Sequence, residues 1–225
     1  MKVTTDACLF GAWVVWKINN EKLIINNCLD IGTGTGLLSL MFAQKNSATF
    51  IDAIEIDKDA SEQARENVSA SPWKDSIHII NADARTFPFE KKYDLIISNP
   101  PFYENEIRSG TDNKNIAHHS DELTLKEVLL IIQSNLSANG DFFLLLPYKR
   151  NEEIKKLFKD NLLHIDKILF VRQSVKHDYF RIILKGKLNQ KENKETELDE
   201  ISIWNEKQQY SSEFVSLLKD FYLYL

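Results

Sequence analysis

Five short apolar runs recur along the chain, and their alternation with helix-like segments limits the fold more than any other feature. The runs are CLDIG (28–32), FIDAIEID (50–57), SIHII (76–80), YDLIIS (93–98) and DFFLLLP (141–147). Each is apolar almost throughout, the pattern of a strand covered on both faces. Helix-like segments fall at 36–45, 58–69, 121–137 and 151–160, so strand and helix take turns as in a doubly wound parallel sheet. Two further strands, HIDKILFVRQS (164–174) and YFRIILKGK (179–187), are separated only by VKHD. That link is too short for a parallel crossover and predicts an antiparallel pair. The expected fold is α/β and Rossmann-like: a mostly parallel seven-stranded sheet with an antiparallel C-terminal hairpin and helices on both faces.

The rest of the chain fits around that core. LNQKENKETELDE (188–200) has the composition of a linker. ISIW (201–204) follows as an edge strand, and then a helix on which Phe214, Leu217, Leu218, Phe221 and Leu225 share one face, with Ser211 or Ser212 as N-cap. A length of 225 residues fits one domain (1–225). Its expected parts are an N-terminal helical segment (1–27), a core (28–187), and the linker, edge strand and C-terminal helix (188–225). FYENEIRSGTDNKNIAHHS (102–120) is polar and patternless, the mark of a functional loop.

Composition removes several function classes. No apolar run has the length of a membrane span, so a membrane is not an expected partner. The N-terminal MKVTTDACLFGAWVVW has no signal-peptide pattern. Cys8 and Cys28 have no metal-ligand spacing, and free thiols in a reducing cytoplasm are the expectation. The net charge of −5 argues against a polyanionic partner, but residues 141–190 hold 11 Lys or Arg against 6 Asp or Glu. A basic stretch in an acidic chain can face phosphates, because the local field steers a polyanion. Lys149, Arg150, Lys155, Lys156 and Arg172 are the candidates.

LDIGTGTG (29–36) sets Gly32, Gly34 and Gly36 between a strand and a helix. Glycine admits positive φ and close approach of a ligand to the backbone. Leu37 stands where the dinucleotide fingerprint needs its third glycine, and no Gly-Lys-Ser/Thr follows, so hydride-transfer and phosphate-loop readings fail. Asp30, ahead of the glycines, suits a positively charged ligand such as S-adenosylmethionine. Glu55 ends the second strand about 20 residues on, where an acid can accept both hydroxyls of a ribose. Asp57 suits a helix N-cap. Asp83 ends the third strand and can accept from an adenine amino group. Asp30, Glu55, Asp83 and Asn99 thus stand at the carboxyl ends of four strands, where open α/β sheets bind ligands.

ISNPPFY (97–103) is the sharpest motif. Pro100 and Pro101 fix φ and lack an N–H, and Asn99 before them is pushed out of the helical region. A rigid strand end of this kind can present an amide and a ring in one geometry. The Asn99 side-chain oxygen and the Pro100 carbonyl can accept from an exocyclic amine or amide nitrogen and direct its lone pair at a methyl donor. Phe102 or Tyr103 can stack on the planar group. Orientation and preorganised dipoles supply the catalysis, with no strong general base. On the residues alone the acceptor is a planar nitrogen: a nucleobase in RNA or DNA, or a protein glutamine amide. A non-catalytic binding module gives no reason to keep Asn99 and Pro100.

MKVTTDACLFGAW, LDIGTGTGLLSLMFAQ, IDAIEIDKDASEQARENVSASPW, YDLIISNPPFY and YSSEFVSLLKDFYL together resemble the bacterial tRNA1(Val) (adenine(37)-N6)-methyltransferase family, class I S-adenosylmethionine-dependent enzymes with an NPPF motif. The similarity spans nearly the whole chain, and the N-terminal segment, ENVSASPW and the C-terminal helix are its specific parts. The resemblance implies N6-methylation of adenine 37, next to the anticodon, by a cytoplasmic monomer with tRNA as partner and no obligate protein partner. It implies S-adenosylmethionine without metal, held by Thr5, Asp6, Asp30, Gly32, Thr33, Gly34, Gly36, Glu55, Ile56, Asp83, Ala84 and Asn99. Catalysis falls to Asn99, Pro100 and Pro101, with Phe102 stacking. It also implies a further basic, phenylalanine-containing stretch ahead of Met1, and an arginine where this chain has His118 in Ala117-His118-His119.

Overall fold

The computed structural model describes residues 3–100, 123–161, 163–188 and 195–225. Its strands are β1 (Asn27–Ile31), β2 (Phe50–Glu55), β3 (Ile77–Asn81), β4 (Tyr93–Ser98), β5 (Leu136–Pro147), β6 (Leu163–Ser174), β7 (Tyr179–Leu188) and β8 (Glu197–Trp204). They form one sheet in the order β3-β2-β1-β4-β5-β7-β6-β8. The first five run parallel, with β1 between β2 and β4, so the strand order reverses at β1. β7 lies antiparallel between β5 and β6, as the four-residue link requires. β8 adds an eighth strand at the edge, parallel to β6.

Among the described residues six α-helices cover the sheet: α1 (Thr5–Asn20), α2 (Leu37–Lys45), α3 (Lys58–Ser69), α4 (Leu125–Asn135), α5 (Asn151–Asp160) and α6 (Ser212–Leu218). Two apolar layers result. One joins α1, α2, α3 and α6 to one face, through residues such as Phe10, Trp13, Phe42, Ala64 and Phe214. The other joins α4 and α5 to the opposite face, through Val128, Leu129, Ile132, Ile154 and Phe158. The strands are apolar on both sides because both sides are covered. Helix starts carry their expected signals: Asp57 accepts from Ala60 N at 2.7 Å, and Ser211 accepts from Phe214 N at 3.1 Å. α1 is enclosed rather than amphipathic, with Ala7 to Val15 buried without interruption.

Two expectations need correction. The segment 188–200 does not continue as a linker to its end, since Glu197–Glu200 belong to β8. Their charges are answered from β6: Lys167 lies 3.7 Å from Glu197 and 3.3 Å from Asp199, and Arg172 lies 2.7 Å from Glu200. An acidic edge strand is hard to pair with another chain, which protects the sheet's end. The C-terminal helix also stops at Leu218. Phe221 N and Tyr222 N both donate to the Leu218 carbonyl, while Gln44 and Lys45 of α2 hold Asp220. Phe221 and Tyr222 still pack on the core, but Leu225 is off the helix and exposed.

Candidate active site

The carboxyl ends of β1 to β4 open onto one cavity of about 720 Å³. Its walls come from the entry and first turn of α1 (Val3, Thr4, Asp6, Ala7), the glycine loop (Gly32, Thr33, Thr35), the end of β2 (Glu55, Ile56, Asp57), the turn after β3 (Ala82 to Arg85) and the end of β4 (Asn99, Pro100), with Leu123, Leu145 and Arg181. The position beside the reversal of strand order is where such sheets take ligands.

The glycine loop is shaped by backbone conformation. Gly32, Gly34 and Gly36 have φ of 70°, 58° and 84°, values that an L side chain resists. A Cβ on Gly32 would meet nothing within 4 Å, so the backbone faces open space there. A Cβ on Gly36 would sit 3.6 Å from the Ala64 Cβ of α3. The loop is tied to β2 because Gly32 N and Thr33 N both donate to the Ile54 carbonyl, at 2.9 and 3.1 Å.

Glu55 closes this loop from the other side. Its carboxylate accepts from Gly34 N at 2.8 Å and from Asp57 N at 2.9 Å. An ionised carboxylate has about four lone-pair sites. Two remain by this count, enough for a pair of ribose hydroxyls. Asn81 donates its side-chain amide to the Glu55 carbonyl at 2.9 Å, fixing the end of β2 against β3.

Asp30 is placed otherwise than its sequence position suggests. It is fully buried beneath the loop and does not line the cavity. Its Oδ2 accepts from Thr33 Oγ1 at 2.6 Å and Ser39 Oγ at 2.8 Å, while Oδ1 has no partner among the described residues. Burial raises its pKa to about 6, against the two hydroxyl hydrogen bonds and with the Glu55 charge adding to the rise. Thr5, Gly34 and Gly36 also lie off the cavity wall.

Two arginines had no signal in the sequence. Arg85 binds the Asp83 carboxylate through Nε and Nη2, at 2.7–2.9 Å, and holds that acid below the usual carboxylate range. Arg181 Nε donates to Asp6 Oδ2 at 2.9 Å, tying the first turn of α1 to β7 at the cavity. Both arginines sit on the wall as partners of acids that the sequence did point to. Arg85 lies two residues from its acid, with no periodicity to mark it.

At the end of β4, Ser98 Oγ donates to the Ile31 carbonyl at 2.7 Å, so β1 and β4 are clamped just before Asn99. Pro100 is buried and Asn99 half-buried, and both border the cavity. Pro101, Phe102 and the stretch with His118 lie outside the described residues. Of the basic candidates, Lys156 is exposed, whereas Arg172 is committed to Ser202 and Glu200.

Known proteins share this architecture. Residues 14–144 match the family model of the methyltransferase small domain. The tRNA1(Val) (adenine(37)-N6)-methyltransferase of Flavobacterium johnsoniae is 38% identical over 225 residues, which is 99% of this chain and 93% of the relative. The chain belongs to the tRNA1(Val) (adenine(37)-N6)-methyltransferase family. A member from Aliivibrio salmonicida is 34% identical, covering 99% of this chain and 91% of its own length. Among solved structures, an S-adenosylmethionine-dependent methyltransferase from Clostridium acetobutylicum superposes with a TM-score of 0.60 at 15% identity, over 81% of this chain and 92% of that one. A magnesium protoporphyrin IX methyltransferase from Synechocystis, solved with bound S-adenosylmethionine, gives 0.57 at 16% identity, over 80% and 79%. At such identities these structures speak to the fold. Among the described residues no helix is long and apolar enough to cross a membrane, and no group of three or more His, Cys, Asp or Glu could hold a metal.

Proposed function

We propose that the chain transfers a methyl group from S-adenosylmethionine to N6 of adenine 37 in tRNA1(Val). The observation that carries this is the meeting of two features on one cavity: acids at the ends of β2 and β3, and Asn99-Pro100 at the end of β4. The wall fits the donor chemically. Glu55 and Asp57 give it acidic character suited to a cation, the charges of Asp83 and Asp6 being answered by Arg85 and Arg181; Gly32 leaves backbone open to a ligand, and Glu55 retains acceptor sites for a ribose. Bound there, S-adenosylmethionine supplies an electrophilic methyl group on a positively charged sulfur.

The chain's own part is positional. The Asn99 side-chain oxygen and the Pro100 carbonyl accept the two hydrogens of the adenine amino group and turn its lone pair outward. The prolines keep those acceptors from relaxing, and the Ser98–Ile31 bond fixes their height above the sheet. Phe102 stacks on the base once it leaves the anticodon loop. The amine releases its proton after attack, so neither a strong base nor a metal is required. We take the enzyme to act as a monomer in the cytoplasm.

Nucleoside mass spectrometry of tRNA incubated with the protein and isotope-labelled S-adenosylmethionine tests the reading. Labelled N6-methyladenosine in the anticodon-loop fragment of tRNA1(Val) is expected. Label in protein amides, or in no RNA at all, would overturn it.

A further inference from the structure

Arg85 sits between two carboxylates at the rim of the cavity. Towards β3, its Nε donates to both Asp83 oxygens at 2.9 Å and its Nη2 to Oδ2 at 2.7 Å, while its backbone N donates to Oδ1 at 2.9 Å. Towards α4, its Nη1 lies 3.6 Å from Glu127 Oε1. The other Glu127 oxygen accepts from Thr124 N and Thr124 Oγ1, each at 2.7 Å, and Glu127 N donates to Thr124 Oγ1 at 3.3 Å. This is a capping box, and Leu123 beside it lines the same cavity as Asp83, Ala84 and Arg85. An unbroken chain of polar contacts therefore runs from the turn after β3 to the start of α4.

We propose that Arg85 is a positioning residue for the methyl donor: clamped between Asp83 and Glu127, it fixes the Ala82–Ala84 turn that walls the cavity. This rests on the reading that the cavity takes S-adenosylmethionine. Three observations carry it. Four hydrogen-bond contacts from one residue take up most of the Asp83 acceptor capacity, so the acid holds the turn and has little left to offer a ligand. The bridge is partly open to solvent, with side-chain exposures of 27%, 24% and 34% along it, so it adds little to global stability. Glu127 ionises more readily than an ordinary glutamate: burial opposes this, but the Thr124 hydrogen bonds and the Arg85 charge outweigh it.

Two variants separate this role from helix capping. Glu127→Gln removes the charge that steadies Arg85 while glutamine still serves at the third position of a capping box. Arg85→Lys keeps the charge but loses the planar fork. By calorimetry, Arg85→Lys should weaken S-adenosylmethionine binding by about tenfold and Glu127→Gln by roughly threefold. The double variant should lose less than the product of the two, because both act through one bridge. Steady-state kinetics should show a raised KM for the donor, with kcat at saturating donor and KM for tRNA unchanged. Melting temperatures should stay near the wild-type value. Unchanged donor affinity in either folded variant overturns the bridge alone, as does a lowered melting temperature with donor affinity intact. Wild-type protein that binds no S-adenosylmethionine overturns the bridge together with the reading beneath it.

Discussion

The two sides of the sheet answer their acids differently. On the parallel side, Glu55 is met by the backbone amides of Gly34 and Asp57, and Asp30 by the hydroxyls of Thr33 and Ser39. On the antiparallel side, Glu197 and Asp199 are met by Lys167, and Glu200 by Arg172 and the Tyr179 hydroxyl. Neutral donors leave a carboxylate its negative charge, whereas a cation cancels it. The first arrangement keeps a field at the cavity that favours a positively charged ligand. The second seals an edge. Two acids on the parallel side do meet cations: Asp52, away from the cavity, pairs with Lys91 at 2.9 Å, and Asp83 pairs with Arg85, where we propose that it holds a turn.

The sharpest test of this contrast removes a neutral group from the parallel side. Asn99→Ala should lower kcat by about 100- to 1,000-fold while leaving S-adenosylmethionine affinity close to wild type, because in the proposed mechanism the amide acts mainly in the transition state. A rate near wild type in single-turnover assays would reduce Asn99-Pro100 to a stiff strand end. Glu55→Ala comes next. Losing charge-assisted hydrogen bonds to ribose should cost up to about 3 kcal/mol of donor affinity, read by calorimetry. Unchanged affinity there would remove Glu55 from the site.

Asp30 gives a test by pH. Its folded pKa of about 6 lies above the ordinary 3.8, so the folded state holds this proton more tightly than the unfolded one. The stabilisation this brings is fully present below about pH 4 and is lost as pH rises through 6. Asp30→Asn should therefore be more stable than wild type at pH 8, by on the order of 2 kcal/mol, with no such gain at pH 4. Denaturant unfolding at the two pH values measures the difference. An equal change at both would mean that the carboxyl stays neutral or finds a partner. The smallest effect belongs to the antiparallel side. Arg172→Ala should cost less than about 1 kcal/mol of stability, since its pair with Glu200 is half exposed. It should leave donor affinity and kcat alone, and a loss of tRNA affinity would give this arginine a second role.

Much of this was legible in the sequence, and the limits have physical causes. The parallel strands could be read because double coverage makes them apolar throughout, and the glycine loop because three glycines in five residues between a strand and a helix leave few alternatives. Glu197–Glu200 were misread because charge looks like disorder until its partners, some 30 residues away on β6, are known. The early end of α6 depends on contacts with α2 that no local pattern carries. Asp30 pointed correctly to the loop but not to its own burial: a strand-end acid can turn inward when hydroxyls wait there, and Thr33 and Ser39 do.

The closed setting of α1 has a consequence for time rather than for shape. Residues Ala7 to Val15 are buried without a break, and the helix is pinned near both ends to β7, by Asp6 to Arg181 and by Glu21 to Lys185. Amides enclosed in this way exchange with solvent deuterium only when a large part of the molecule opens, so they act as slow clocks for global unfolding. The first turn of the same helix borders the cavity. One helix thus carries, within a few residues, a clock for the whole fold and a clock for the occupancy of its site.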